Sequence, residues 1–223
     1  MAIMRAVPRV PVVASLALAV ALAAPWPAQA QTELPEGGAD AALPEAPALP
    51  EGLMPALPEA REAARQAQLD ALFDQLADET NPNWELVQAQ IFRQWRQSGS
   101  ASMDLLMNRA LAAIEEDDYD TALVFLNDLV RLAPDFAEAW NQRATVHFLR
   151  RDYGRSVADI ERVLSLEPRH FGALSGLGII MDRLGNEAAA LKAFRRVLEI
   201  NPQMPGAREG VKRLAPEVEG RPI

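Results

Sequence analysis

Cysteine is missing altogether from the 223 residues, and His147 and His170 are the only histidines. No thiol means no disulfide framework, no thiolate zinc or iron–sulfur site, no cysteine nucleophile and no lipid attached to an N-terminal cysteine. Basic residues are outnumbered, 22 against 31 acidic for a formal charge of −9, and they form no block. A phosphate-backbone partner needs a basic face, so nucleic acid is not expected. Long apolar runs are also scarce: one spans 15 residues, Val10 to Ala24. Apolar residues still make up 49% of the chain, enough for a core, so wholesale disorder is excluded.

The first thirty residues follow an export logic. Arg5 and Arg9 precede the apolar run with no acid among them, and "PWPAQA" closes it, with Ala28 and Ala30 giving a small-x-small cleavage pattern. As a helix the run reaches about 22 Å, short of a hydrocarbon core of roughly 30 Å. Residues 1–30 therefore read as a cleavable signal peptide ending near Ala30, not as an uncleaved anchor. The expected location is periplasmic or secreted, in a bacterium, with no membrane span left after cleavage. Loss of Arg5 and Arg9 takes the formal charge from −9 to −11.

Residues 31–59 carry Leu-Pro-Glu four times, from Leu34, Leu43, Leu49 and Leu57, and hold no aromatic. Proline blocks helix and pushes the preceding residue towards extended geometry, so this segment reads as a disordered linker with reach up to about 90 Å. A docking role for the Leu-Pro-Glu units stays open. From residue 60 to 100 the pattern turns helical. Leu69, Leu72, Phe73 and Leu76 form one stripe; "NPN" breaks the chain, with Asn83 a candidate N-cap; Val87, Ile91 and Trp95 form a second stripe with Phe92 beside it. This is a helical hairpin whose stripes need covering.

The remainder repeats itself every 34 residues without an insertion. Leu106, Trp140 and Leu174 fall in one column, then Ala110, Ala144 and Gly178, then Ala122, Ser156 and Ala190. Leu126, Ile160 and Phe194 follow, and the period closes on Pro134, Pro168 and Pro202. Each copy (103–136, 137–170 and 171–204) holds two helices of about 13 residues, or three turns and more. Small-residue columns let the two backbones approach, large ones fill the space to the next copy, and proline re-aims the chain. No such hairpin hides its own apolar stripe, so each is stable only when stacked.

With that period, Trp140, the Ala144 and Ser156 columns and Pro168, the chain resembles a tetratricopeptide repeat protein. The resemblance implies an all-α fold, an α-α superhelix of antiparallel helix pairs, ended here by a capping helix at 205–215 and a tail at 216–223. Residues 60–100 fit as a degenerate extra hairpin, bulky at Leu76 and polar at Gln88 where small residues belong. Its aromatic residues would cover the first repeat or, alternatively, join two copies; the oligomeric state stays open, with a monomer favoured.

The resemblance also implies a concave surface lined by the first helix of each copy. The expected partner-binding residues are Met107, Leu111 and Ile114, then Asn141, Thr145 and Phe148, then Ser175, Ile179 and Asp182; by the same columns Asp104, Glu138, Leu149, Gly172 and Arg183 join them. This mixture of apolar groups and few charges suits a protein or peptide partner with apolar anchors. The rival reading has Leu111, Ile114 and Phe148 simply packed against the hairpin or tail. Repeats that grip a C-terminal carboxylate use Lys, Arg and Asn where this chain has Met107, Leu111, Gln142, Gly172 and Gly176, so that ligand is not expected.

Chemistry is poorly provided for. His147 and His170 lack partners at metal-ligand spacing, and the acidic run 115–118 lacks calcium-loop spacing. "GALSGLG" (172–178) lies within a helical pattern with no strand before it, which is not how a phosphate loop is built. Neither metal, cofactor nor catalytic residue is expected, and the reading is a non-catalytic scaffold.

Overall fold

The computed structural model describes residues 58–220, which lie within one compact unit. The expected signal peptide, the linker up to residue 57 and the last three residues fall outside the described residues. Nine helices, and no strand, occur among those described: α1 (Pro58–Ala77), α2 (Trp84–Trp95), α3 (Ala101–Glu115), α4 (Tyr119–Leu132), α5 (Ala137–Leu149), α6 (Tyr153–Leu166), α7 (Phe171–Arg183), α8 (Glu187–Ile200) and α9 (Pro205–Val218).

The three copies are the pairs α3–α4, α5–α6 and α7–α8, each packed along its length. Their internal turns are built alike by unlike residues. Asp117, Arg151 and Gly185 all adopt positive φ, at 58°, 62° and 75°, which stops the first helix. The next residue, Asp118, Asp152 or Asn186, then caps the second helix by accepting a hydrogen bond from the backbone N–H of Thr121, Arg155 or Ala189. Ala110, Ala122, Ala144 and Ala190 are buried where the paired helices meet. Ser156 replaces a methyl with a hydroxyl that donates to the Ala144 carbonyl across the pair, at 2.8 Å. Pro134, Pro168 and Pro202 each follow the last residue of a second helix by two, between copies as expected. Trp140 folds back so that its indole N–H donates to the Pro134 carbonyl at 3.0 Å, with the Arg143 guanidinium over its ring.

The hairpin α1–α2 departs from its expected place. Its buried side chains, Leu69, Leu72, Phe73, Leu76, Val87, Ile91 and Trp95, share one core with Phe171, Leu174, Leu191, Phe194, Val197 and Ile200 of the third copy and Leu214 of α9, and with nothing from α3 or α4. Polar contacts fasten the same junction. Arg169 pairs with Asp70 at 2.8 Å while lying over the Phe73 ring, Asn201 donates to Gln88 at 2.9 Å, and Gln203 donates to the Asp78 and Asn81 carbonyls. Leu76 is wholly buried by this docking. A bulky residue there suits a broad apolar junction and not the close helix pairing a small-residue column serves. The hairpin thus does not stack on the first copy. Phe92 and Trp95, expected to cover that copy or to join two chains, are spent inside the chain: Phe92 sits edge-on to Phe171 at 5.0 Å, and Trp95 lies 5.3 Å from the same ring.

Two boundaries also move. Pro58 opens α1, so the helix begins inside the fourth Leu-Pro-Glu unit; a first-turn proline has no N–H to waste and its fixed φ suits a helix. Asn83 stands at the N-cap of α2 but makes no capping bond with its side chain. At the other end α9 runs past residue 215 to Val218 despite Pro216, where a tail was expected. Glu219 explains the extension: its backbone N–H donates to the Ala215 carbonyl, and its carboxylate takes a two-pronged grip from Arg195 of α8 at 2.5 and 2.9 Å.

Candidate functional site

Between α5 and α7, the first helices of the second and third copies, a cleft of about 80 Å³ opens, lined by Asn141, Ala144, Thr145, Phe148, Ser156, Ile160, Gly172, Ala173, Gly176, Ile179 and Ile180. The cleft is small and open to solvent, with room for an apolar side chain of a few carbons. The floor is made by residues without bulk. A Cβ on Gly176 would meet only the tip of Ile160, at 3.6 Å. The mouth stays accessible at Thr145 and at Ile179, which is 41% exposed. Arg183 spans the end of the cleft, its guanidinium 4.8 Å from the centre of the Phe148 ring and bonded to the Tyr153 hydroxyl at 3.2 Å. No α1 or α2 side chain lines the cleft.

The nine expected residues separate on this geometry. Asn141, Thr145, Phe148 and Ile179 come together in the cleft. Met107 does not reach a surface: it is 1% exposed, its flexible apolar side chain packed in the first core with Ala110, Leu126, Phe136 and Val146. Leu111 and Ile114 are half-buried against that same core, which favours the packing reading for both. Phe148 is half-buried against Tyr153 of its own repeat, not against the hairpin. Ser175 and Asp182 lie outside the cleft lining; the Ser175 hydroxyl is buried and unpaired, and Asp182 is held by Arg213 of α9 at 2.6 Å. The groove is therefore a feature of two copies, not three.

Under the cleft lies a polar cluster that the sequence reading did not assemble. Glu138, 2% exposed, accepts from Asn141 Nδ2 at 3.2 Å, Gln142 Nε2 at 2.5 Å and His170 Nε2 at 3.1 Å. His170 is wholly buried as the N-cap of α7: its Nδ1 accepts from the Ala173 N–H at 3.1 Å, which leaves the ring proton on Nε2 facing Glu138. The Trp95 indole of α2 stacks on that imidazole, centroids 4.1 Å apart and planes 11° from parallel. Gly172 occupies the column that carries Asp104 and Glu138 in the other copies. A Cβ there would stand in ordinary contact, 3.4 Å from both the His170 and the Phe92 rings.

On the far side of α5, Arg143 grips Asp159 through two bonds of 2.8 and 2.7 Å, with a third to Asn127. His147 lies 3.9 Å from Asp159. Burial pushes the His147 imidazole below its ordinary pKa, and the Asp159 charge, pulling upward, does not overcome it. The two pairings with Asp159 span 16 and 12 residues and bridge the helices of one copy, while the bond to Asn127 crosses to α4 of the copy before. Among the described residues no group of three metal-ligating side chains converges, and no helix is long and apolar enough to cross a membrane.

Comparison with known proteins agrees with this architecture. A family model described as a tetratricopeptide repeat matches residues 172–204. A TPR repeat-containing protein of Rhizobium etli is 46% identical over 153 residues, covering 68% of this chain and 75% of that protein. This alignment is longer than the three 34-residue copies together, and the relative is bacterial. The small glutamine-rich tetratricopeptide repeat-containing protein 2 of Saccharomyces cerevisiae is 30% identical over 106 residues, 48% of this chain and 29% of that protein. Among solved structures, the Arabidopsis OM64 TPR domain superposes with a TM-score of 0.50 at 19% identity, over 52% of this chain and 97% of that one. The first TPR of Spaghetti (RPAP3), solved with an HSP90 peptide, gives the same TM-score and identity over 52% of this chain and 93% of that one, a likeness of fold alone. With the period, the capped turns and a relative of this closeness in hand, the chain belongs to the tetratricopeptide repeat family.

Proposed function

We propose that this chain is a non-catalytic scaffold in the bacterial periplasm or exterior, holding a peptide segment of a partner protein in the cleft between α5 and α7. Assembly of cell-envelope or cytochrome complexes is the kind of task such a scaffold would serve. One observation carries the reading: Asn141, Thr145, Phe148 and Ile179 surround an open, small-floored cleft that the chain's own hairpin does not enter. An apolar side chain of valine or leucine size fits its volume, and the neighbouring amide and hydroxyl offer hydrogen bonds to an extended backbone. The export reading of residues 1–30 and the resulting acidic mature chain support the location. Self-assembly through the aromatic hairpin has less behind it, because Phe92 and Trp95 pack within the chain.

The test is a photo-crosslinking amino acid placed at Thr145 in living cells, with Val124, 60% exposed on α4, as the control position. A discrete adduct from position 145 that vanishes when Phe148→Asp is added is expected. Equal labelling from both positions, or an adduct indifferent to Phe148→Asp, refutes the groove. Sequencing the N-terminus of the exported protein tests the location separately, with Gln31 expected first.

A further inference from the structure

We propose that the α1–α2 hairpin sets what the groove offers its ligand: Trp95, acting through His170 and Glu138, holds the Asn141 amide with nitrogen inward and carbonyl oxygen outward. This deepens the groove reading and rests on it for its biological meaning, though not for its test. The chain of contacts is continuous from the hairpin to the cleft. Trp95 of α2 stacks on His170, whose Nε2 donates to Glu138 Oε2, and that same oxygen accepts from Asn141 Nδ2. Gln142 occupies the other carboxylate oxygen, so Glu138 cannot turn away without losing a bond.

The charge of Glu138 decides the orientation of Asn141. A carboxylate only accepts, so the amide must present its NH₂ to it, and the carbonyl oxygen is left over. Among the described residues no donor reaches that oxygen, and Asn141 lines the cleft. The groove thereby shows an acceptor beside its apolar cleft, the complement of a peptide N–H next to a small aliphatic side chain. Without Trp95 the imidazole loses the surface it is stacked on and keeps only its capping bond to Ala173, so its bond to Glu138 weakens. Glu138 is then placed by Gln142 alone, and the Asn141 amide it orients is held less firmly. Trp95, His170 and Glu138 are positioning residues; none of them lines the cleft.

The consequence is visible without any ligand, so a failure to find a partner leaves the test intact. In isotope-labelled protein, hydrogen exchange of the Asn141 side-chain amide reads its bond to Glu138. Glu138→Gln is expected to speed that exchange by about tenfold, the loss of one charge-assisted hydrogen bond, and Trp95→Leu to speed it by a smaller factor. Trp95→Tyr, which keeps an aromatic surface on His170, is expected to restore it. Val87→Ala weakens the same hairpin core about two turns of α2 away from Trp95 and is expected to leave Asn141 unchanged. Asn141 exchange unaltered by Trp95→Leu, or altered equally by Val87→Ala, overturns the proposal, the second because general loosening would then account for everything.

Discussion

Phe194 provides the sharpest test of the packing. Its buried ring is wedged between two helices that have glycine where it touches them. An ideal Cβ on Gly178 of α7 would stand 2.6 Å from its Cε1, and one on Gly210 of α9 2.6 Å from Cδ2, across the ring. The ring therefore cannot slide from one helix without striking the other. Gly178→Ala should cost about 1–3 kcal/mol by overpacking, towards the upper end because both sides are blocked. Alanine returns about 1 kcal/mol as the better helix former, leaving a net loss of about 1–2 kcal/mol. For a protein of this size that is a fall in Tm of roughly 2–8 °C. Urea denaturation followed by circular dichroism measures it. The decisive comparison is the Phe194→Leu background, where the ring edge is gone and Gly178→Ala should become neutral or stabilising by up to about 1 kcal/mol. An equal loss in both backgrounds refutes the wedge, and no loss in the wild type refutes the contact.

Other consequences follow from the polar groups around α5. Asp159→Ala strands the Arg143 guanidinium in a largely buried site and should cost about 3–5 kcal/mol, most of it recovered in the Arg143→Met, Asp159→Leu double variant; urea midpoints of both variants check this, and a loss under about 1 kcal/mol would place the pair in solvent instead. His147 makes stability depend on pH. With its folded pKa below the unfolded value, the unfolded chain takes up the proton first, so stability holds above the unfolded pKa near 6.5 and falls as pH drops below it. Denaturation midpoints compared at pH 7.5 and pH 5 should fall more steeply in the wild type than in His147→Gln; equal slopes contradict the assignment.

The comparison between sequence and structure turns on distance along the chain. The 34-residue period, the helix pairs and the prolines between copies were legible because each is a local rule repeated: apolar spacing makes the helices, small columns let them meet, and proline ends them. The positive-φ column was less visible, since Asp117, Arg151 and Gly185 share a conformation and not a residue type. Of the nine residues expected along the groove, the columns put Asn141, Thr145, Phe148 and Ile179 on helix faces that meet at one cleft. Met107 is not among them, because a column gives the direction of a side chain but not what lies beyond it.

What the sequence by itself determined is the repeated unit and the need of each unit to be sheltered by a neighbour. Which neighbour shelters the first hairpin was decided only in three dimensions. Leu69, Phe73, Ile91 and Trp95 state that an apolar face must be covered, and any apolar surface of matching shape satisfies that demand; the surface that does so belongs to the third copy, whose Phe171 and Leu174 lie about a hundred residues away from Leu69 and Phe73. Burial is non-directional, so it names no partner. The stacking of Trp95 on His170 and the edge-on contact of Phe92 with Phe171 both depend on that choice.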